Sequence, residues 1–327
     1  MSTRIAALSL VVGLICGVQI GASARAQVDH SSLHTSQLVA VDGGVRLEVL
    51  DWGGHGRALV FLAGLGNTAH VFDDFAPRFA GDFRAIGITR RGFGASSRTA
   101  VDYSAQRLSA DVVAVIEALH LERPVLVGHS IAGEELSYIA AREGARTSGL
   151  VYLDAAYDRT AAEITSLWNE WPQANVEPSQ SDRTSRTAYR DFSRRTRGYA
   201  LPESELEQYA TFGDPPEAVS KTIIAGALAP DYKAVNVPAL ALFALPQSAE
   251  QLFPAYRVFA PDVRRRVDDF WPKWATQVQH ARERFQREVG RGTAVVLNGA
   301  THYVFLSNAE QTATQMRAFL EPLRNKR

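Results

Sequence analysis

Cysteine is nearly absent from this 327-residue chain: it has one, Cys16, and only 2 methionines. Neither charge sign is in excess, with 35 Lys+Arg against 35 Asp+Glu. That balance argues against a nucleic-acid surface and against an acidic disordered segment. Internal repeats and low-complexity tracts are also missing. The one long apolar run is at the start, where Arg4 precedes "IAALSLVVGLICGVQIGA" and small residues follow in "ARA". A positive start, an apolar stretch and small residues at a cleavage site make a secretory leader. We expect residues 1–26 to be removed, leaving Gln27 first in a periplasmic or secreted protein. The rival reading is an uncleaved membrane anchor, since the run is nearly long enough to span. Cys16 leaves with the leader, so the mature chain has no thiol. Disulfides and a thiolate nucleophile are thereby excluded.

The full chain is 46% apolar, enough for a large core. Residues 37–41 and 45–51 alternate in polarity around "DGG" and read as a hairpin. Residues 58–62, 83–88, 125–127, 149–153, 239–245 and 294–297 are continuous apolar runs of strand length, suited to parallel strands buried on both faces. Helical spacing lies between them. Leu108, Val112, Val115, Ile116 and Leu119 form one stripe within 103–119. A second helix is expected over 131–142. Ser307 with Glu310 has the spacing of a capping box opening a last helix. Strands alternating with helices behind a hairpin predict an α/β fold, a mostly parallel sheet covered on both sides. Two segments are too long for simple crossovers. Residues 159–233 are expected to form a helical lid, and 249–291 a helix with an added excursion. The sheet-bearing core is thus expected in two parts, 27–158 and 234–327. The tryptophans of both segments are read mainly as packing residues.

The stretch "VLVGHSIAGEEL" has a serine between a strand and a helix, with small residues around it. A G-x-S-x-(G or A) match arises by chance in roughly one chain in five of this length, so the setting decides. A strand turning sharply into a helix strains its central residue and lifts that side chain above the sheet. Gly128 and Ala132 are small enough to allow the turn. Ser130 is therefore the candidate nucleophile, and the Ile131 amide at the helix start a candidate oxyanion donor. Serine needs a base to take its proton. Of the 8 histidines, His302 follows an apolar run and a glycine-containing loop near the C-terminus, where it can reach back over the sheet. His129, next to Ser130, is expected to point away and pack. The loop "AGLGNTAHVF" supplies Gly64, whose small size lets the backbone approach, and the Leu65 amide as second donor.

Taken in order, "FLAGLGNTAHVF", "ITRRGFGASS", "VLVGHSIAGEEL", "LVYLDAAY" and "NGATHYVF" resemble the α/β-hydrolase superfamily, over residues 37–323. The resemblance implies an eight-stranded sheet, a lid inserted after the sixth strand and a Ser-His-acid triad. It disfavours members with an aspartate nucleophile, because Ser130 holds that place. Ala63 stands where many members have histidine. The acid also departs from the usual pattern. Most members carry it after the seventh strand, where "PALALFALPQSAEQL" has no aspartate. Asp154, after the sixth, is the preferred acid, with Glu250 and Asp158 as alternatives. The expected activity is hydrolysis of a small-molecule carboxylic ester or lactone. Competing readings are an aminopeptidase or amidase of the same fold, a lyase or perhydrolase, and a low-turnover ligand receptor. The pattern implies no metal or organic cofactor, no nucleic acid and no lasting membrane anchor, and leaves oligomeric state open.

Overall fold

The computed structural model describes residues 34–98 and 102–324. The expected leader lies outside them; among the described residues no helix is long and apolar enough to cross a membrane. Eight strands form one sheet: β1 (Thr35–Ala40), β2 (Arg46–Asp51), β3 (Ala58–Leu62), β4 (Arg84–Ile88), β5 (Val125–His129), β6 (Gly149–Leu153), β7 (Ala239–Phe243) and β8 (Gly292–Val296). Their spatial order is β1-β2-β4-β3-β5-β6-β7-β8. β1 and β2 pair antiparallel with Thr35 opposite Asp51, and β2 is antiparallel to β4. All later pairings are parallel. The hairpin turn takes positive φ at Gly43 (52°) and Gly44 (83°), which is why the sequence puts two glycines there.

Among the described residues ten α-helices accompany the sheet: α1 (Ala105–Ala118), α2 (Ala132–Glu143), α3 (Ala162–Asn169), α4 (Arg186–Arg197), α5 (Glu203–Phe212), α6 (Glu217–Ala225), α7 (Ala249–Leu252), α8 (Pro261–Glu288), α9 (Val304–Ser307) and α10 (Ala309–Leu320). Alternation along a strand decides which layer each side chain joins. From β3, Val60 and Leu62 pack with Leu136, Val278 and Phe285 of α2 and α8. Leu59 and Phe61 face the other way, toward Phe72, Met316 and Leu320. All residues of β3, β5, β6 and β7 are buried. Each large apolar side chain so buried contributes roughly 1.5–3 kcal/mol. This double covering explains runs that are apolar throughout rather than alternating.

The inserted segments are helical. Between β6 and β7 stand α3 to α6; between β7 and β8, α7 and the 28-residue α8. Trp171 packs against Phe253, Phe270 and Trp274 with ring centroids 5.4, 5.1 and 5.6 Å away. These rings join the two insertions.

The capping box is a correction. Ser307 ends α9, and α10 starts after Asn308 without a side-chain cap. The Ser307 hydroxyl accepts the Thr301 amide at 3.0 Å, and Glu310 pairs with Arg78. The serine's hydrogen bond goes to the loop carrying His302 rather than to the helix behind it. The buried face of α10, with Ala313, Met316 and Leu320, is as the spacing predicts.

Candidate active site

Ser130 follows β5 directly and has φ of 54°. Its amide donates to the Leu153 carbonyl at 3.3 Å, which sets the turn against the end of β6. The small residues nearby have separate jobs. A Cβ on Gly128 would meet Leu136 Cδ1 at 2.7 Å, whereas one on Gly133 would meet the Ala155 carbonyl oxygen at 2.0 Å. Gly133 therefore faces rigid backbone and has no room to give. Ala132 is fully buried in the core, so its methyl is accommodated.

Asp154 follows β6 as Ser130 follows β5, and it too has a positive φ, 46°. Its amide donates to the Leu242 carbonyl at 2.8 Å. Three donors hold the 3%-exposed carboxylate. His302 Nδ1 lies 2.7 Å from Oδ2. The Ala244 amide and the Tyr157 hydroxyl donate to Oδ1 at 3.0 and 2.6 Å. Burial, and then the Asp154 charge, push the Tyr157 phenol well above its ordinary value, so it stays a donor. His302 Nε2 lies 2.9 Å from Ser130 Oγ. With a carboxylate at Nδ1, the ring carries its proton there and turns the Nε2 lone pair to the serine.

The other proposed acids are elsewhere. Glu250 is exposed and pairs with Arg257 at 3.0 Å. Asp158 pairs with Arg284 at 2.6 Å and accepts from Thr160. Of the three candidates, Asp154 alone bonds to His302 among the described residues.

His129 packs, as its place in the motif predicts, and it packs on the His302 loop. Its ring centroid is 4.7 Å from that of His302, and Nε2 stands 3.1 Å from the His302 carbonyl oxygen. Burial holds it well below the usual imidazole value. It stays neutral and donates Nε2–H to that carbonyl, supporting the loop.

Gly64 lies against both histidine and serine: a Cβ there would meet His129 Nδ1 at 2.7 Å and Ser130 Cβ at 3.2 Å. Arg90, within the quoted "ITRRGFGASS", donates Nη2–H to the Ala63 carbonyl at 3.1 Å and Nη1–H to that of Gly64 at 3.4 Å. The same guanidinium grips Glu135 of α2 at 2.8–3.1 Å. No peptide here is cis. With the Gly64 carbonyl drawn to Arg90, the Leu65 N–H points the opposite way. Neither the Leu65 nor the Ile131 amide donates to an acceptor among the described residues. Behind the loop, the buried Glu205 of α5 accepts from Asn67 Nδ2 at 2.9 Å, the Thr68 amide at 3.0 Å and Tyr209 at 2.9 Å. Asn67 Oδ1 in turn accepts from Tyr303 at 2.8 Å. The sequence reading missed Arg90, Glu135, Tyr157 and Glu205. Arg90, Glu135 and Tyr157 all stand within the quoted family-like motifs, whereas Glu205 carried no such signal.

A cavity of about 560 Å³ opens above these groups, bounded by Leu65, Ser130, His302, Trp168, Trp171 and Trp274, among others. Trp171 and Trp274 thus pack and line at once. Away from it, His34, His70 and Asp73 bring one ligand-type atom each within 4.8 Å of one another. That cluster is tied by its own contacts: His34 and His70 Nδ1 lie 3.1 Å from Asp73, and Trp52 Nε1–H donates to it at 2.8 Å.

Residues 59–315 match the model of a family described as the alpha/beta hydrolase family. The AB hydrolase superfamily protein YisY of Bacillus subtilis (strain 168) is 37% identical over 107 residues, 32% of this chain and 39% of that protein. A non-heme chloroperoxidase of Streptomyces lividans is 32% identical over 120 residues, 36% of this chain and 44% of that protein. The chain thus spans less than half the length of either curated relative. A crystal structure of E-2-(acetamidomethylene)succinate hydrolase superimposes with a TM-score of 0.63 over 88% of this chain and 99% of that one, at 20% identity, a likeness of fold.

Proposed function

The chain belongs to the alpha/beta hydrolase family, and on that premise we propose that it is a serine hydrolase cleaving carboxylic esters, lactones included, through an acyl-enzyme. One observation carries the reading: a strained, positive-φ Ser130 is joined through His302 to the buried Asp154 by contacts of 2.9 and 2.7 Å.

In this reading His302 Nε2 takes the Ser130 proton as Oγ bonds to the acyl carbon. The carbonyl electrons move to oxygen, where the Leu65 and Ile131 amides receive the charge. In other enzymes one such donor is worth about 3–4 kcal/mol. The tetrahedral adduct collapses, the C–O bond to the alcohol breaks, and His302 returns the proton to the departing oxygen. Water then enters, gives its proton to His302 and attacks the acyl carbon. Collapse releases the acid and restores Ser130. Asp154 keeps the His302 tautomer and stabilises the imidazolium without taking its proton.

Helices α3 to α6 act in this proposal as the lid, because residues from this segment, such as Trp168 and Arg197, border the cavity. The leader at residues 1–26 directs export, and N-terminal sequencing of secreted protein starting at Gln27 supports that part. The test of activity is a panel of p-nitrophenyl and lactone substrates. We expect turnover with the natural sequence and loss of roughly six orders of magnitude in kcat for Ser130→Ala, by analogy with other triads. Hydrolysis that survives this substitution rejects the proposal.

A further inference from the structure

The cavity has walls of two kinds. Trp168, Trp171, Trp274 and Phe253 make an apolar side, whereas tyrosines and four cations, Arg159, Arg183, Arg197 and Lys221, stand in the rest. Three of these cations have acidic neighbours. Arg183 lies 3.5 Å from Glu177, Lys221 pairs with Glu217 on α6, and Arg159 stands 3.9 Å from Glu134. Arg197 differs. It is partly buried, and the phenols of Tyr199, Tyr189 and Tyr303 are among the groups around it. No carboxylate among the described residues pairs with it.

Its position is fixed relative to the catalytic loop. Arg197 is the last residue of α4. The next residue, Gly198, lies so close to Thr301 that a Cβ there would meet Thr301 Cγ2 at 2.8 Å. The ring of Tyr199 then stacks on Tyr303 at 4.3 Å. Arg197 is thus anchored beside the residues that flank His302. Thr301 Oγ1, buried and without a hydrogen-bond partner among the described residues, borders the same cavity.

A cation removed from water without an acid nearby is costly, and an incoming anion offsets the cost. The planar guanidinium fork matches a carboxylate, and charge-assisted pairs are strongest where water is excluded. One unpaired arginine balances a single negative charge, which fits a carboxylate better than a doubly charged phosphate.

We propose that the substrate carries a free carboxylate, held by Arg197 on the tyrosine side of the cavity, with its apolar body against Trp168, Trp171 and Trp274. This rests on the ester-hydrolase reading above and adds the substrate class.

Two matched pairs test it. 4-Nitrophenyl hydrogen glutarate against 4-nitrophenyl pentanoate probes an acyl-side acid; 4-butyryloxybenzoate against 4-methylphenyl butyrate probes an alcohol-side acid. In one pair the acid is expected to have the higher kcat/KM. Arg197→Gln then lowers that acid-to-neutral ratio roughly tenfold to a hundredfold, mostly through KM, and Arg197→Lys lowers it less. Should Arg197→Gln fail to fold, Arg197→Lys provides the comparison. No preference in either pair overturns the proposal, as does an equal loss on acid and neutral ester, the mark of an arginine that only stabilises the end of α4. Calorimetric binding of glutaric acid mono-anilide needs no turnover and separates the two readings. Binding that weakens at least tenfold in Arg197→Gln, with esterase activity absent, rejects the hydrolase reading and keeps the carboxylate site.

Discussion

His302 and His70 each present Nδ1 to an aspartate, at 2.7 Å from Asp154 in one case and 3.1 Å from Asp73 in the other. They differ at the second nitrogen. Nε2 of His302 meets the Ser130 hydroxyl at 2.9 Å, and its side chain is 36% exposed at the cavity. Nε2 of His70 meets a second carboxylate, Glu48, at 3.3 Å, and its side chain is 8% exposed. Burial disfavours the charged ring, but Asp73 and Glu48 outweigh it and push His70 up to about 10. His70 therefore stays protonated as a fixed cation. A carboxylate partner is not what makes an imidazole a base. In the proposed mechanism, a neutral hydroxyl and an opening to the cavity at the other nitrogen do that.

Exchanging the partner of each ring should break this contrast in different currencies of measurement. Asp154→Asn is expected to lower kcat by three to four orders of magnitude in ester hydrolysis, because the wrong His302 tautomer results. An equal loss in Glu250→Gln, with Asp154→Asn active, would reverse the assignment. His70→Asn is expected to act on stability instead. It leaves Asp73 and Glu48 buried beside each other without their cation, which costs roughly 3–5 kcal/mol in denaturant unfolding. The folded variant should retain kcat within about threefold, since His70 touches no catalytic group.

The pH dependence sharpens the same point. Because His70 titrates near 10 in the folded chain and ordinarily near 6.5, its contribution is complete below pH 6.5 and is lost as pH rises toward 10. Stability should fall across that window, by about 5 kcal/mol at most, and the slope should be absent in His70→Asn. Equilibrium unfolding at several pH values measures it. A flat profile in the unsubstituted protein would mean that His70 is not held as a cation. The smallest effect is expected for Tyr157→Phe, which removes one of three donors to Asp154 and should reduce kcat by about threefold to tenfold, roughly 1 kcal/mol. Unchanged kcat in a pH-rate series would show that the Ala244 amide suffices to hold the acid.

The sequence made some of this legible because the signal was local. A serine between an apolar run and a helix, and a histidine beyond the last apolar run, announce themselves within a dozen residues. The strands were visible because helices cover both faces of the sheet. Asp154 was legible only as a preference over Glu250 and Asp158, since distance to an imidazole 148 positions away leaves no local trace. The partners of Arg90, Glu205 and His70 were invisible for the same reason. Glu205 reaches Thr68 across 137 positions, and His70 reaches Glu48 across 22. Ser307 misled because a hydroxyl at capping spacing has other acceptors and donors nearby once the loop folds back.

The Ala244 amide that holds Asp154 brings a second strand end to the acid's position. It lies just past β7, the strand beside β6, with Leu153 paired to Leu242. The family resemblance of the sequence implies an acid after that neighbouring strand in most members. Here the two strand ends converge on one carboxylate, one by side chain and the other by main chain. Either strand end thus stands within reach of the one carboxylate position beside His302.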